Sequence, residues 1–183
     1  MKVLLNEEQI AEAVSRLAGE IEAHYDGQPV TIISVLTGSL VLVADLIRKL
    51  KMPLRVGLVQ ARSYRGKATQ PAGLVINSDL FPEIRGRHVL LVDDIFDTGR
   101  TLSELISQVV DLRPASARSA VLLQKQGRQQ VALRPNHVGF EIPDQFVVGY
   151  GLDYDDLYRN LPYIAAMEDE DLAAAIAPAK ASS

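Results

Sequence analysis

The stretch from His88 to Leu102, HVLLVDDIFDTGRTL, joins a strongly apolar run to three aspartates. The run HVLLV indicates a buried β-strand that ends at Asp93 and Asp94, and Asp97 then opens a turn. A buried carboxylate is costly unless it is paired, hydrogen-bonded or metal-bound. A purely structural role for all three is therefore the weaker explanation, and we predict that they face a ligand.

The residues on both sides of this stretch predict an α/β fold. Helical spacing follows in LSELISQVVDL, and residues 117–124 form the next apolar strand, so residues 88–124 predict a βαβ unit with parallel strands. Other segments predict a helix from Asn6 to Gly27, strands at 30–36, 54–61 and 74–77, a helix at 40–50, a loop at 62–73, and short strands at 146–150 and 163–166. Together they predict a mainly parallel sheet flanked by helices.

Composition narrows the class of protein. With 183 residues, 48% of them hydrophobic, we expect one domain at 1–167 and a weakly ordered tail at 168–183. The net charge of -4 gives no electrostatic support for nucleic-acid binding, and the absence of cysteine excludes a thiolate site or nucleophile. The three histidines are far apart in sequence and lack metal-ligand spacing. The opening MKVLLNEEQI is unlike a signal peptide, so we expect a cytoplasmic protein without a membrane partner.

The residue types around the aspartates suit a phosphorylated sugar. Ligands of open α/β sheets bind beyond the carboxyl ends of the strands, and a helix that begins there attracts anions. The turn from Asp97 to Thr101 supplies backbone amides, two hydroxyls and Arg100, which suit a phosphate monoester. Asp93 and Asp94 suit ribose hydroxyls or Mg²⁺, which prefers oxygen ligands.

Three other classes share parts of this pattern. A receiver domain has a similar acidic pair, but there the pair normally closes the first strand, whereas here it lies mid-chain. A Walker B strand requires a G-x-x-x-x-G-K-[ST] loop, and a Rossmann site requires G-x-G-x-x-G after the first strand. The sequence contains neither.

The whole string from Val89 to Leu102 instead resembles the phosphoribosyl diphosphate motif of type I phosphoribosyltransferases. A second segment, VGFEIPDQFVVGYGLDYDDLYRNLPYI at 138–164, resembles the C-terminal signature of the hypoxanthine phosphoribosyltransferases, which act on 6-oxopurines. With SVLTGSLVLVADLI and RSY, the resemblance extends from Asn6 to Ala166. It implies the type I phosphoribosyltransferase fold, in which N- and C-terminal segments form a small hood over the sheet.

The resemblance also implies roles for individual residues. Asp93 and Asp94 would hold the ribose hydroxyls, and Asp97 would act as general base at purine N7. Lys125 would donate to the 6-oxo group, which argues against adenine because a lysine has no acceptor. Further implied positions are Asp97, Thr98, Gly99, Arg100 and Thr101 at the 5-phosphate, Phe146 and Val147 at the purine, Asp153 with Asp93 and Asp94 at Mg²⁺, Arg159 with Leu36, Thr37, Gly38 and Ser39 at pyrophosphate, and Ser63 and Tyr64 in a closing loop.

One position departs from the family pattern. Many relatives have a lysine where this chain has Thr37, which offers a hydroxyl and a backbone amide but no charge. We expect activity to survive, since the amides of that loop do much of the binding in the family. The resemblance further implies a cis peptide at Leu36–Thr37.

The implied activity is purine salvage with Mg²⁺ as cofactor: phosphoribosyl diphosphate and hypoxanthine or guanine would give IMP or GMP and pyrophosphate. The resemblance also implies a homodimer or homotetramer. Two rival interpretations use the same fold, an RNA-binding regulator and an assembly subunit without catalysis. The carboxylate at Asp97 disfavours the first, and the intact set of motif residues disfavours the second.

Overall fold

The computed structural model describes residues 1–63, 74–77, 82–168 and 170–171. Its elements, in chain order, are β1 Lys2–Leu5, α1 Glu7–Tyr25, β2 Val30–Leu36, α2 Leu40–Ile47, β3 Leu54–Ser63, β4 Leu74–Asn77, β5 His88–Phe96, α3 Arg100–Asp111, β6 Ser116–Lys125, β7 His137–Ile142, β8 Val147–Val148 and β9 Ile164–Ala166. None of the helices in these ranges is long and apolar enough to cross a membrane.

The main sheet has six strands in the order β4-β3-β2-β5-β6-β7. Five of them, from β3 to β7 in that order, are parallel, and β4 pairs antiparallel with β3 at one edge. The unit β5-α3-β6 confirms the predicted βαβ arrangement of residues 88–124. The parallel strands bring the ends of β2 and β5 side by side, which places the predicted site residues at one edge of the sheet.

Both faces of the sheet are buried at its central strand, β5. Alternate residues of β5 point to opposite sides, as period-2 geometry requires. Leu90 packs with the residues of α1 and α2, whereas Leu91 packs with those of α3. Every position from Val89 to Val92 is fully buried, which explains why the strand reads as a continuous apolar run instead of an alternating one.

Helix α1 begins and ends as its sequence predicts. The Asn6 side chain accepts from the backbone N–H of Gln9, and the Gln9 side chain accepts from the backbone N–H of Asn6, each at 2.9 Å, forming a capping box. Asp26 ends the helix in the left-handed conformation. Its apolar stripe of Ile10, Val14, Leu17 and Ile21 is buried against the sheet and α2.

A second, three-stranded sheet forms the predicted hood. Its order is β1-β9-β8, with antiparallel pairing, so it joins the N-terminal residues to the C-terminal part of the fold. Strand β1 was not predicted, nor was β7. Strand β8 has only two residues, where the sequence suggested 146–150, because glycines at 149 and 151 lead the chain into a turn.

Three other element boundaries differ from prediction. Helix α2 ends at Ile47 instead of residue 50, since Lys49 closes a turn by donating to the Leu46 carbonyl. Arg62 and Ser63 extend β3, where they pair with β4, instead of opening the predicted loop. Strand β5 continues to Phe96, past the acidic pair. The remainder of the loop, 64–73, and most of the tail lie outside the described residues.

Candidate active site

The acidic pair, Asp93 and Asp94, lies within the last four residues of β5. Asp93 is 8% exposed, and its carboxylate accepts from the backbone N–H of Asp94 at 3.0 Å. The Asp94 carboxylate accepts from the N–H of Ile95 at 2.8 Å. Burial raises the pKa of Asp93 well above its usual range, and the neighbouring Asp94 charge raises it further. Burial also raises the pKa of Asp94. Two adjacent carboxylates with few donors are suited to a ligand that brings hydroxyls or a cation.

The loop after β2 lies directly against this pair. The Leu36–Thr37 peptide is cis, as the resemblance implied. A Cβ added at Gly38 would overlap the Asp94 carboxylate, so any larger residue there would have to displace that carboxylate. Ser39 differs from its predicted surroundings: its hydroxyl donates to the Val35 carbonyl at 2.6 Å and lies 2.8 Å from the Ser34 hydroxyl, fully buried. Its side chain therefore supports the loop from inside the fold.

The turn between β5 and α3 exposes the start of a helix. Gly99 is the N-cap, with φ 83°, and α3 runs for 12 residues from Arg100. A Cβ at Gly99 would lie 2.6 Å from the Phe96 ring and 2.5 Å from Val131, so the turn is tightly packed from behind. Glycine has no side chain to cap α3, and the Arg100 amide makes only a long hydrogen bond of 3.4 Å to the Thr98 hydroxyl. The amides of the first turn can therefore bind an anion.

A third segment, residues 149–159, completes the edge. Arg159 donates to the Gly151 carbonyl at 2.8 Å, and its guanidinium lies 2.9 Å from Asp153 and 3.0 Å from Asp156. The other Asp153 oxygen accepts from the Asp156 N–H at 2.9 Å. Both Asp153 oxygens are thus engaged within the segment. A Cβ at Gly151 would overlap the Gly38 carbonyl, so this segment touches the β2 loop backbone to backbone.

These segments enclose a cleft of about 1070 Å³. Its lining includes most of the residues predicted for the sugar, phosphate, pyrophosphate and metal: Leu36, Thr37, Gly38, Asp93, Asp94, Asp97, Thr98, Gly99, Arg100, Thr101, Asp153 and Arg159. The residues predicted for the purine, Lys125, Phe146 and Val147, do not line it.

The residues predicted to bind the purine lie beside the cleft, and Lys125 is next to Asp97. Lys125 ends β6, is 8% exposed, and places its Nζ 3.8 Å from an Asp97 oxygen. Phe146 is 43% exposed, and its ring meets that of Tyr154 edge-on at 5.4 Å between centroids, an arrangement that leaves aromatic surface for stacking. Val147 is buried in β8. For the closing loop, Ser63 ends β3, its side chain undescribed, and Tyr64 lies outside the described residues.

Two charged residues at this site were not found from the sequence. Arg128 donates through Nε to Asp97 at 2.9 Å, and Asp144 lies 3.5 Å from the Lys125 ammonium. Arg128 falls in the polar stretch KQGRQQ, which has no apolar period, and Asp144 falls in a turn between β7 and β8. Neither position carries a sequence signal apart from its closeness to Lys125 or Phe146.

Comparison with known proteins identifies the class to which this fold and cleft belong. A family model described as a phosphoribosyl transferase domain matches residues 2–155, and the chain belongs to this phosphoribosyltransferase family. The particular relatives it matches are hypoxanthine-guanine phosphoribosyltransferases. That of Aquifex aeolicus is 40% identical over 171 residues, covering 92% of this chain and 96% of the relative.

Two further relatives extend the comparison. The bifunctional protein TilS/HprT of Listeria innocua is 38% identical over 170 residues, and the chain spans 26% of that longer protein. A solved structure of a mutant hypoxanthine phosphoribosyltransferase from Trypanosoma cruzi, complexed with the product IMP, is 37% identical. It superposes with a TM-score of 0.88 and covers 97% of this chain and 96% of that one. The predicted type I phosphoribosyltransferase fold is confirmed.

Proposed function

We propose that this chain transfers the 5-phosphoribosyl group of phosphoribosyl diphosphate to N9 of hypoxanthine or guanine, giving IMP or GMP and pyrophosphate. The observation that carries the proposal is the single cleft that joins Asp93 and Asp94, the N-terminus of α3 and the 36–38 loop. These three parts match a ribose, a 5-phosphate and a pyrophosphate. The T. cruzi relative supports it, since it binds IMP.

Each part of the cleft has a chemical task in this reaction. The amides at the start of α3, with Thr98 and Thr101, hold the 5-phosphate through hydrogen bonds and the helix dipole. Arg159 and the amides of the 36–38 loop stabilise the negative charge that grows on the departing pyrophosphate. Because such charge is greatest at the transition state, these contacts lower the barrier more than they strengthen substrate binding.

The purine binds beside the cleft, between Lys125, Phe146 and Asp97. The Lys125 ammonium donates to the 6-oxo oxygen, and the exposed Phe146 face stacks on the ring. The Asp97 carboxylate accepts the proton from purine N7 as N9 attacks the anomeric carbon. Lys125 and Asp97 are close enough to serve the same base, since Nζ lies 3.8 Å from Oδ2.

Mg²⁺ is part of the proposal, with Asp153, Asp93 and Asp94 as the residues that would hold it. Magnesium is usually bound through one or two carboxylates together with substrate phosphates and water. The donor set fits this mode: within the described ranges no three carboxylate or imidazole groups converge on a closed protein site, while Asp93 and Asp94 offer oxygens to the cleft. When bound, the ion would neutralise charge on the pyrophosphate.

An ultraviolet assay tests the function. Purified protein would receive phosphoribosyl diphosphate and Mg²⁺ with hypoxanthine, guanine, xanthine, adenine, orotate or uracil in separate reactions. We expect turnover with the 6-oxopurines alone and its loss when EDTA replaces Mg²⁺. Folded protein that is silent with all six bases would overturn the proposal, and turnover with orotate or uracil would assign the chain to another branch of the family.

A homodimer or homotetramer is also proposed. Leu40, the first residue of α2, and Val56, in the first half of β3, are 51% and 43% exposed, and a second copy of the chain could cover such apolar side chains. Light scattering behind a sizing column would report the mass, and a monomer at micromolar concentration would contradict the proposal.

A further inference from the structure

We propose that Arg128 and Asp144 are positioning residues for the transfer, because they keep Asp97 and Lys125 from closing on each other. The proposal rests on the proposed function, in which Asp97 accepts the N7 proton and Lys125 donates to the 6-oxo group. The four side chains form a ring of alternating charge, which we call the charge ring: Asp97, Arg128, Asp144 and Lys125.

The four nitrogen–oxygen distances around the charge ring differ, and they show which residue is the nearest partner of each. Arg128 Nε lies 2.9 Å from Asp97 Oδ1 and 3.6 Å from Asp144 Oδ1. Lys125 Nζ lies 3.5 Å from Asp144 Oδ1 and 3.8 Å from Asp97 Oδ2. The shortest contact of Asp97 is therefore with Arg128, and the shortest contact of Lys125 is with Asp144. The two residues assigned to the purine each have a different first partner.

This separation matters because a direct Asp97–Lys125 hydrogen bond would occupy both groups that the purine needs. Hydrogen bonds of this type form at about 2.7–3.2 Å, so the 3.8 Å contact is an attraction that has not closed. The Lys125 side chain is only 10% exposed and that of Asp97 is 37% exposed, so such a pair would be partly shielded from water once formed. Arg128 and Asp144, at 45% and 49% exposure, sit at the rim, where they can yield to an entering base.

The backbone holds the rim residues in place. The segment that follows β6 is attached at both ends, since Gln126 donates to the Ile142 carbonyl and Gln130 donates to the Thr98 carbonyl, each at 2.9 Å. Gln145 donates to the Pro143 carbonyl and closes a turn around Asp144. The charge ring thus connects the ends of β5, β6 and β7, the three segments that must be aligned when a purine binds.

Removing either rim residue should let the direct pair form. Asp144→Asn leaves Lys125 with Asp97 as its nearest carboxylate, and Arg128→Gln leaves an Asp97 oxygen open to Lys125. We expect each change to raise KM for hypoxanthine about tenfold, the size of one partly exposed charged hydrogen bond, and to change KM for phosphoribosyl diphosphate by less than about twofold. The double variant should raise KM for hypoxanthine by much less than the product of the two single effects, because one direct pair explains both.

The test is steady-state kinetics with each substrate varied at saturating levels of the other. Arg128→Lys should recover most of the hypoxanthine affinity, since it keeps the charge. Arg85→Gln is the matched control, an exposed arginine in the turn before β5, and should leave both KM values unchanged. Equal losses for both substrates, multiplicative single effects, or an unchanged KM in either single variant would overturn the charge-ring proposal. If the unsubstituted chain fails to turn over any 6-oxopurine, the proposed function itself is wrong.

Discussion

The two ends of the parallel sheet gather opposite kinds of titratable group. The carboxyl ends carry Asp93, Asp94 and Asp97 and open into the cleft. At the amino ends, His88 begins β5 and His137 begins β7, and His24 lies near the end of α1. The His24 and His137 rings are 6.5 Å apart, and the His88 ring lies 5.8 Å from that of Tyr25.

Burial acts on both ends, but its consequences differ. It raises the pKa of Asp93 and lowers the pKa of His137, so each group is driven toward its neutral form. At the histidine end, two rings make polar contacts within the fold, with His137 Nδ1 at 3.4 Å from Glu20 and His88 Nδ1 at 2.8 Å from the Ser116 hydroxyl. The aspartate end stays open to a cleft of about 1070 Å³. A perturbed pKa marks a site only where access accompanies it.

The largest effect we expect comes from Asp97→Asn at the open end. The change keeps the shape of the side chain and removes its basicity, so kcat should fall by roughly 10²–10⁴. Binding of phosphoribosyl diphosphate, followed by calorimetry, should change little. Wild-type turnover in this variant would remove Asp97 from its role as proton acceptor.

Gly38→Ala should come next, because the added methyl group overlaps the Asp94 carboxylate. We expect kcat/KM for phosphoribosyl diphosphate to fall by about 10², the cost of a displacement of roughly 1 Å at a reacting site. Gly19→Ala is the matched control, since nothing lies within 4 Å of a Cβ there and α1 gains an alanine. Similar kinetics in the two variants would show that the Gly38–Asp94 contact does not matter.

Asp93→Asn should stabilise the ligand-free protein while it weakens activity. The folded-state pKa of Asp93 is raised, so its contribution to stability is present below the unfolded value and is lost as pH rises through the folded value. At pH 7.5 the unfolded chain ionises Asp93 more readily than the folded protein does, so this residue destabilises the fold and we expect Tm of the variant to rise by about 3 °C in EDTA. A lower Tm would mean that the acidic pair is stabilising on its own.

The smallest effect belongs to the histidine end, at His137. Its folded-state pKa is lowered, mainly by burial, so the stability it contributes is present above the unfolded value of about 6.5 and is lost as pH falls below it. The difference in Tm between the wild type and His137→Gln should therefore narrow between pH 7.5 and pH 5.5. Parallel Tm curves for the two proteins would show that His137 is not linked to folding in this range.

Most of the main sheet was predictable because its strands are short apolar runs next to turn residues. Strand β2 and strand β4 have the predicted bounds, and the acidic pair was correctly placed at the end of a buried strand. Strand β1 was missed because it is four residues long, only its last residue, Leu5, is buried, and its partner in the described ranges is β9, about 160 residues later in the chain. The local sequence pattern does not reveal a partner strand so distant in the chain.

The site residues also fall into those that could be predicted from local sequence and those that could not. A motif written in consecutive residues, such as Asp93 to Thr101, could be found by spacing and resemblance. The contact of Arg128 with Asp97 and the approach of His24 to His137 depend on strand order, which places β6 beside β5 and β7 beside β6. Helix α1 packs across β6 and β7. The sequence distance between the histidines suggested three unrelated residues, and the fold brings them to one end of the sheet.

The strand pairing of the hood affects the order in which the chain can fold during synthesis. Its central strand is β9, and β1 pairs with no other strand in the described ranges. During synthesis the residues of β1 emerge before those of β9, so they have no partner until Ile164–Ala166 follow. The main sheet requires the chain only up to Ile142 and can assemble earlier. Val147, within β8, and the adjacent Phe146 are therefore fixed after the main sheet. In a growing chain the residues proposed to bind the 5-phosphate would thus be ordered before these two residues proposed to bind the purine.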